Sequence, residues 1–395
     1  MTLLNQLSYI LIGFSYTFLL INKIYFGFAI ILGIILLMIS NRPLNLNFAF
    51  KAKKVNFFFY LTISLFSIST LISILIDRSI PVLIYLTIFI LLGLNIFFIL
   101  KKKNIDYQMI EKFLVISIII NVLTIFIYNF WNYQISAFEV KKFKGILNII
   151  TPLVLLLPFF NKKKVNYAFI LILFPALFYG NSNAPFLGIL SGLIICLLFF
   201  LNSRLKLSNK FIFTIFLTIS PIILYKASNI LPNKFDENSI KNQTFEIPVK
   251  LVDAHRQFIW GFSLEKFKER PFLGYGPDTS NFLEGSQKKI GHPQTGTMPF
   301  IPSHPHNFLI ELLLDVGIIG ALSFILFIFF LNLEIYKIST NYQKYFLLFF
   351  NAYFWGASFV NFSFWLGWWQ GSYFFILSIM ATKIYIENKE IKPSD

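Results

Sequence analysis

The chain has 395 residues, 56% of them hydrophobic and only 13% charged, and its mean hydropathy is +0.70. A soluble domain carries about twice that share of charge, so a soluble multi-domain architecture is excluded. The net charge of +16 is spread as short lysine clusters between apolar runs, which marks membrane topology; no nucleic-acid partner is expected.

In chain order, apolar runs approaching the ~20 residues that cross a bilayer lie near 6–21, 24–40, 56–76, 80–100, 113–130 and 145–160. Six more lie near 167–180, 186–201, 211–225, 307–331, 345–364 and 366–383. They predict an all-α polytopic membrane protein, one integral membrane domain over 1–395 with about twelve transmembrane helices. The first run lacks a charged leader and a cleavage site, so it is expected to be a retained helix. Most of its aromatic side chains are expected at the lipid surface and interface belts.

Lys51, Lys53 and Lys54, Lys101 to Lys103, Lys162 to Lys164, and Arg204, Lys206 and Lys210 mark cytoplasmic loops. Both termini then lie inside. The segment 131–144 runs against the rule, since it carries Lys141, Lys142 and Lys144 outside. The long hydrophilic stretch 226–306 becomes one extracytoplasmic loop between helices nine and ten, and it holds all four histidines.

Within that loop, 226–250 reads as a mixed polar connector. Asp253 can cap a helix near 254–269 that Pro271 stops. Trp260, Leu264 and Phe267 form an apolar stripe on it, as in a helix lying along the membrane surface and presenting Arg256 to the bundle. The turn Gly274-Tyr275-Gly276 follows.

The segment that best fits chemistry is Ser303-His304-Pro305-His306-Asn307, leading into the tenth span. Pro305 favours a break there, placing His306 and Asn307 in the opening turn, where unsatisfied N–H groups would favour an anion. A neutral imidazole at that point can take a proton from a hydroxyl. Asn307, Glu311 and Asp315 recur every four residues on one face, and carboxylates in a membrane helix usually face a polar cavity. Gly317 and Gly320 read as close helix packing. Arg256 and Arg270 suit a diphosphate, because a guanidinium makes paired charge-assisted bonds. Trp365, Trp368 and Trp369 fall at an external turn and are expected to anchor the belt. His304 is a possible helper, while His255 and His292 are expected to be solvated. The single Cys196 excludes an intrachain disulfide, and no metal or other cofactor is expected. An external site has no nucleotide-activated donors, so a lipid-linked diphosphate fits.

Two stretches resemble the O-antigen ligase and O-antigen polymerase superfamily of bacterial envelope glycan enzymes. One is a His-Asn pair, nine residues, then Gly-x-x-Gly: His306-Asn307, FLIELLLDV, Gly317-Ile318-Ile319-Gly320. The other is Arg256, Trp260 four residues on, and a Pro-x-x-Gly-x-Gly turn at Pro271, Gly274 and Gly276. The resemblance implies metal-independent, inverting glycosyl transfer from undecaprenyl diphosphate in the bacterial inner membrane, with the site on the periplasmic face. His306 would be the essential histidine and Arg256 the arginine that engages the diphosphate. Arg270, Asn307, Asp315, Glu311, His304 and Trp260 would support substrate binding, among membrane lipids. A ligase acting on lipid A–core is the favoured member. A polymerase extending a growing glycan, a protein O-oligosaccharyltransferase and a non-enzymatic lipid-linked glycan flippase are the alternatives. One family feature is missing: a Ser-Arg pair often opens the eighth span, and this chain reads Asn181-Ser182-Asn183-Ala184 there. Arg270, Lys226 or the 141–144 lysines would have to replace that arginine.

Overall fold

The computed structural model describes residues 3–40, 52–102, 105–133, 142–161, 163–180, 182–205, 229–360 and 362–391. The expected span near 211–225, together with Asn181, Lys226, Lys141 and Lys162, lies outside the described residues.

The chain is an all-helical polytopic membrane protein, with no strand among the described residues. The first half contributes α1 (Leu3–Gly13), α2 (Lys23–Ser40), α3 (Lys53–Leu71), α4 (Ile76–Leu100), α5 (Tyr107–Asn132), α6 (Lys144–Leu155), α7 (Leu157–Phe160), α8 (Asn166–Tyr179) and α9 (Ala184–Leu205). The second contributes α10 (Glu237–Lys241), α11 (Ala254–Glu269), α12 (Phe308–Ile338), α13 (Asn341–Ser358) and α14 (Gly367–Ile391). Among the described helices, α2, α3, α4, α5, α9 and α12 are long and apolar enough to cross a membrane.

Helix α3 packs along α12, α4 along α14, and α9 along α13. Tyr85 and Phe89 of α4 meet Gly367 at the start of α14, while Gly93 meets Phe374 further on, so these two helices run in parallel. The aromatic residues are not confined to lipid-facing surface. Phe26, Phe66, Phe324, Phe327, Tyr353 and Tyr373 are buried, and Phe354 stacks on Trp369 with centroids 4.1 Å apart. Lipid tails are as apolar as the helices they surround, so helix association depends on such interlocking contacts. A closed polar ring ties α12, α13 and α14 together. Asn332 donates to Tyr373 (2.9 Å), Tyr373 to Asn351 (2.6 Å) and Asn351 back to Asn332 (2.7 Å). Each group has a partner, as an apolar interior demands.

The segment 229–306 forms a lobe with its own core at the end of the bundle where α4, α12 and α14 begin. The stretch read as a connector is packed: Leu231 and Ile240 are buried, and Phe235 and Phe245 join the same apolar clusters. Helix α11 packs on two sides. Phe258, Ile259 and Phe262 pack with Phe300 on one side, while Leu264 and Trp260 pack with Leu231 and Ile310 on the other. The stripe of Trp260, Leu264 and Phe267 is therefore one of two buried faces. The stripe's spacing does not include the second, because Phe258, Ile259 and Phe262 fall at other positions around the helix. His292 is not solvated either; it is buried between the rings of Phe245 and Phe258. His255 Nε2 lies 2.9 Å from the Pro299 carbonyl oxygen.

Candidate active site

Helix α12 opens at Gly317, which has φ +67° and ψ 177°. Glycine reaches this left-handed region without the Cβ penalty other residues incur. The break frees backbone groups, and the turn after α11 takes them up. Ile318 N donates to Pro271 O (2.8 Å), Tyr275 N to Leu314 O (3.1 Å) and Gly276 N to Asp315 O (2.8 Å). Ser69 Oγ from α3 donates to the same Asp315 carbonyl at 2.9 Å. A Cβ on Gly317 would stand 2.2 Å from the Phe272 backbone, and one on Gly274 would stand 2.4 Å from that of Asp315. Gly317 therefore serves a backbone-to-backbone dock rather than the helix packing expected of it, whereas Gly320 faces Phe66 as an ordinary close contact.

Glu311 and Asp315 are both fully buried. Glu311 accepts from Ser363 Oγ and from Phe364 N, both at 2.6 Å. Asp315 Oδ2 accepts from Trp365 Nε1 at 2.7 Å and from Asp278 N at 3.1 Å, while Oδ1 has no hydrogen-bond partner among the described residues. The two carboxylates hold the segment before α14 and the segment after the 271–276 turn. Trp365 and Trp369 are buried and are not belt residues; Trp369 donates to Ser358 at 3.0 Å. Trp368 is partly exposed, with the Lys23 ammonium 4.3 Å from its ring centroid.

Asn307 is the N-cap of α12, its side chain accepting from Leu309 N and Ile310 N at 3.1 Å each. Two of the N–H groups expected to receive an anion are thus already satisfied. His306 stands one residue before the cap, not in the opening turn, and has φ 55°. Its N–H donates to His304 Nδ1 at 3.1 Å, and the two rings are 4.1 Å apart. Burial, and after it the charge of His306, lowers the His304 imidazole to about 3. His304 is neutral at ordinary pH, and its accepting Nδ1 puts the proton on Nε2.

Asp253 caps α11 through Arg256 N (2.9 Å), and the Arg256 guanidinium lies 3.4 Å from the Asp253 carboxylate with the side chain partly exposed. One turn on, Trp260 Nε1 donates to Pro305 O at 3.0 Å. The face carrying Arg256 is thereby fastened to the turn carrying His306. Trp260 spends its donor on that link. Arg270 sits fourteen residues beyond Arg256, about 21 Å along the helix, and stacks on Tyr275 with 4.8 Å between Cζ and the ring centroid. The two arginines cannot grip one diphosphate.

A cavity of about 460 Å³ opens beside this turn, lined by Arg78, Asp278, Ser303, His304, Ser363 and Trp365 among others. Arg78 Nη2 lies 2.9 Å from Asp278 Oδ2, and its Nε donates to Asp278 O at 2.8 Å. Burial raises the Asp278 carboxyl while Arg78 draws it back down. Sequence reading overlooked Arg78. The available signal was a cation at the external end of a span, against the positive-inside rule. Asp278 had no comparable mark, since its role comes from a fold contact 200 positions away. A larger cavity, about 560 Å³, surrounds the Lys383–Glu111 ion pair at the opposite end of the bundle. Sixteen residues of α14, about 24 Å, separate Lys383 from Gly367, so that cavity is remote from the histidine turn.

Residues 168–325 match the family model described as O-antigen ligase, a stretch that includes Arg256, the histidine turn and both Gly317 and Gly320. The chain is 29% identical over 280 residues to the "putative polysaccharide ligase" of Rickettsia typhi, covering 67% of this chain and 66% of that protein. It is 28% identical over 280 residues to the protein of the same description from Rickettsia prowazekii, with the same coverage. It is 27% identical over 282 residues to the one from Rickettsia felis, covering 67% and 66%. The match thus spans just under two thirds of the length of these relatives. The family match over 168–325 contains the motifs that carried the resemblance read from the sequence.

Proposed function

We propose that this protein is a membrane glycan ligase that moves a preassembled glycan from undecaprenyl diphosphate onto an acceptor hydroxyl, with lipid A–core as the acceptor. The observation that carries the reading is the His304–His306 turn, bonded by Trp260 to the Arg256 helix and beside a cavity lined by charged, polar and aromatic residues. The matched stretch, which covers the histidine turn, Trp260 and Arg256, supports a glycan substrate.

In this reading His306 accepts the proton of the acceptor hydroxyl, and that oxygen bonds to the anomeric carbon of the donor. The bond from that carbon to the diphosphate breaks, its electron pair stays on the phosphate oxygen, and the configuration inverts. Arg256 offsets the charge that develops on the leaving diphosphate. Neutral His304 keeps His306 oriented. Asn307, Glu311, Asp315 and Trp260 act at one remove, by holding the helix end and its neighbours in place. Arg270 is too far along α11 to share the phosphate with Arg256. The twelve-span topology, with the 226–306 loop on the periplasmic face of the inner membrane, belongs to the same reading and puts the site where lipid-linked glycans are displayed.

A polymerase that extends a glycan on its own carrier would use the same chemistry with a different acceptor. Expression of His306→Ala, Arg256→Ala and Arg270→Ala in cells lacking the wild-type gene, followed by glycan blotting, tests the assignment. Loss of capped acceptor by tenfold or more is expected for the first two and less than threefold for Arg270→Ala. Full capping by both His306→Ala and Arg256→Ala would overturn the enzymatic reading in favour of a flippase. Deletion that leaves single repeat units on the acceptor would identify a polymerase, whereas accumulating lipid-linked polymer would identify a ligase.

A further inference from the structure

The cavity of about 560 Å³ at the other end of the bundle takes no part in the proposed transfer, yet three separate parts of the chain build its walls. The first two turns of α5 supply Glu111 and Lys112, the connection between α7 and α8 supplies Asn161 and Lys163, and α14 supplies Lys383 and Glu387. Lys383 is the strut between them. Its Nζ donates to Glu111 Oε2 at 2.8 Å, to Glu111 Oε1 at 2.9 Å and to the Phe160 carbonyl oxygen at 3.1 Å. An ammonium has three protons, so all of them are spent on holding the walls together.

Three charges are left over. Glu387 Oε2 accepts from Gln343 Nε2 at 2.7 Å, but Oε1 stands 3.4 Å from a Lys383 nitrogen that has no proton left for it. Lys112 and Lys163 are exposed at the cavity and make no ion pair among the described residues. A ligand that completes this set needs one anionic group for the two lysines and one cationic donor for the carboxylate. The lining then changes character. Val115 and Ile116 follow one turn beyond Lys112, and Ile120, a further turn along α5, is exposed. The polar mouth thus grades into lipid-facing surface, which suits a membrane lipid lying against the bundle better than a soluble anion.

We propose that this cavity holds a zwitterionic aminophospholipid of the surrounding leaflet, its phosphate between Lys112 and Lys163, its primary ammonium at Glu387 and its acyl chains along Val115 and Ile116. Such a lipid would join α5, α14 and the α7–α8 connection from outside, as Lys383 does from within. The assignment goes beyond the ligase reading and stands without it, because this cavity and the histidine turn lie at opposite ends of α14.

Native mass spectrometry of the full chain in detergent, with added dioleoyl phosphatidylethanolamine, phosphatidylglycerol or phosphatidylcholine, tests it. The ethanolamine lipid is expected to bind at least tenfold tighter than the other two, since the glycerol head carries no cation and the choline head no N–H. Glu387→Gln is expected to reduce that preference to threefold or less. Lys112→Gln combined with Lys163→Gln is expected to weaken the ethanolamine lipid at least tenfold. Equal binding of the three lipids, binding of none, or a double-lysine variant that behaves like wild type overturns the proposal, as does a Glu387→Gln protein that keeps the full preference. Both lysines are exposed, so the double variant decides even if Glu387→Gln does not fold. Soluble phosphoethanolamine separates the head group from the lipid. It is expected to compete at least a hundredfold more weakly, and competition on a par with the lipid would assign the site to a free phosphate monoester instead.

Discussion

Trp260 donates its indole N–H to the carbonyl oxygen of Pro305 at 3.0 Å, and this bond couples α11 to the turn that carries His306. The residues are 45 positions apart, and in the proposed reaction their bond holds the Arg256 helix against the His306 turn. Replacing Trp260 by Phe keeps most of the ring packing against Leu231 and Ile310 but removes the donor. A loss of about 1 kcal/mol is expected, typical of a net hydrogen bond. Glycan transfer should fall several-fold while the thermal midpoint in detergent drops only by a few degrees. Unchanged transfer would show that the link does not position the site.

Asp315 provides a sterner test of the buried scaffold. Asp315→Ala leaves Trp365 Nε1 and Asp278 N without their acceptor in a fully buried place. Each abandoned donor costs about 1–3 kcal/mol. Asp315→Asn keeps one carbonyl oxygen and is expected to be milder. Fluorescence-detected size exclusion after heating should rank wild type above Asn and Asn above Ala. The reverse order would mean that the carboxylate is tolerated rather than needed for folding.

Gly317 and Gly320 should respond differently to alanine. At Gly317 the backbone has φ +67° and the added methyl would meet Phe272 at 2.2 Å. The left-handed conformation alone costs about 1–2 kcal/mol, and overpacking adds about 1–3 kcal/mol. At Gly320 the nearest atoms are the Val316 side chain at 2.9 Å and Phe66 at 3.5 Å, so movement of side chains can absorb the change. Expression and monodispersity of Gly317→Ala should collapse while Gly320→Ala remains measurable. Equal behaviour would argue against the backbone dock.

His304 makes stability depend on pH. Its folded pKa is depressed to about 3 from the ordinary 6.5. The unfolded chain therefore takes up a proton that the folded chain refuses. The stabilisation is fully present above pH 6.5 and is lost progressively as pH falls toward 3. Chemical denaturation in micelles between pH 7.5 and about 4 should show wild type losing stability, with His304→Gln following a flatter curve. Parallel curves for the two proteins would place the pH sensitivity elsewhere.

A good part of the molecule is legible in the chain because membrane physics constrains it locally. Apolar length marks a span and lysine placement marks its ends, and both are one-dimensional signals. The His306-Asn307 and Gly317-x-x-Gly320 spacing is local too, which is why the resemblance to the matched family could be read from the motif. What the side chains do is not local. Glu311 and Asp315 share one helix face as their spacing requires, but what they meet there comes from residues 363–365 and 278. Their periodicity is equally compatible with a substrate cavity and with a buried clamp, and only the packing of α14 and the lobe onto α12 selects the clamp.

By itself, then, the sequence determined the class of fold, the lobe that gathers the titratable groups, and the segment on which His306 stands, because hydropathy and short spacings act between near neighbours along the chain. The tertiary structure decided the partners. It filled the helix end with Asn307, stacked Arg270 on Tyr275, buried His292 and Trp365, and brought Arg78 to the cavity beside His304. A guanidinium and an imidazole more than two hundred residues apart meet only when α4, α12 and the lobe close on one another, and no periodicity encodes that meeting.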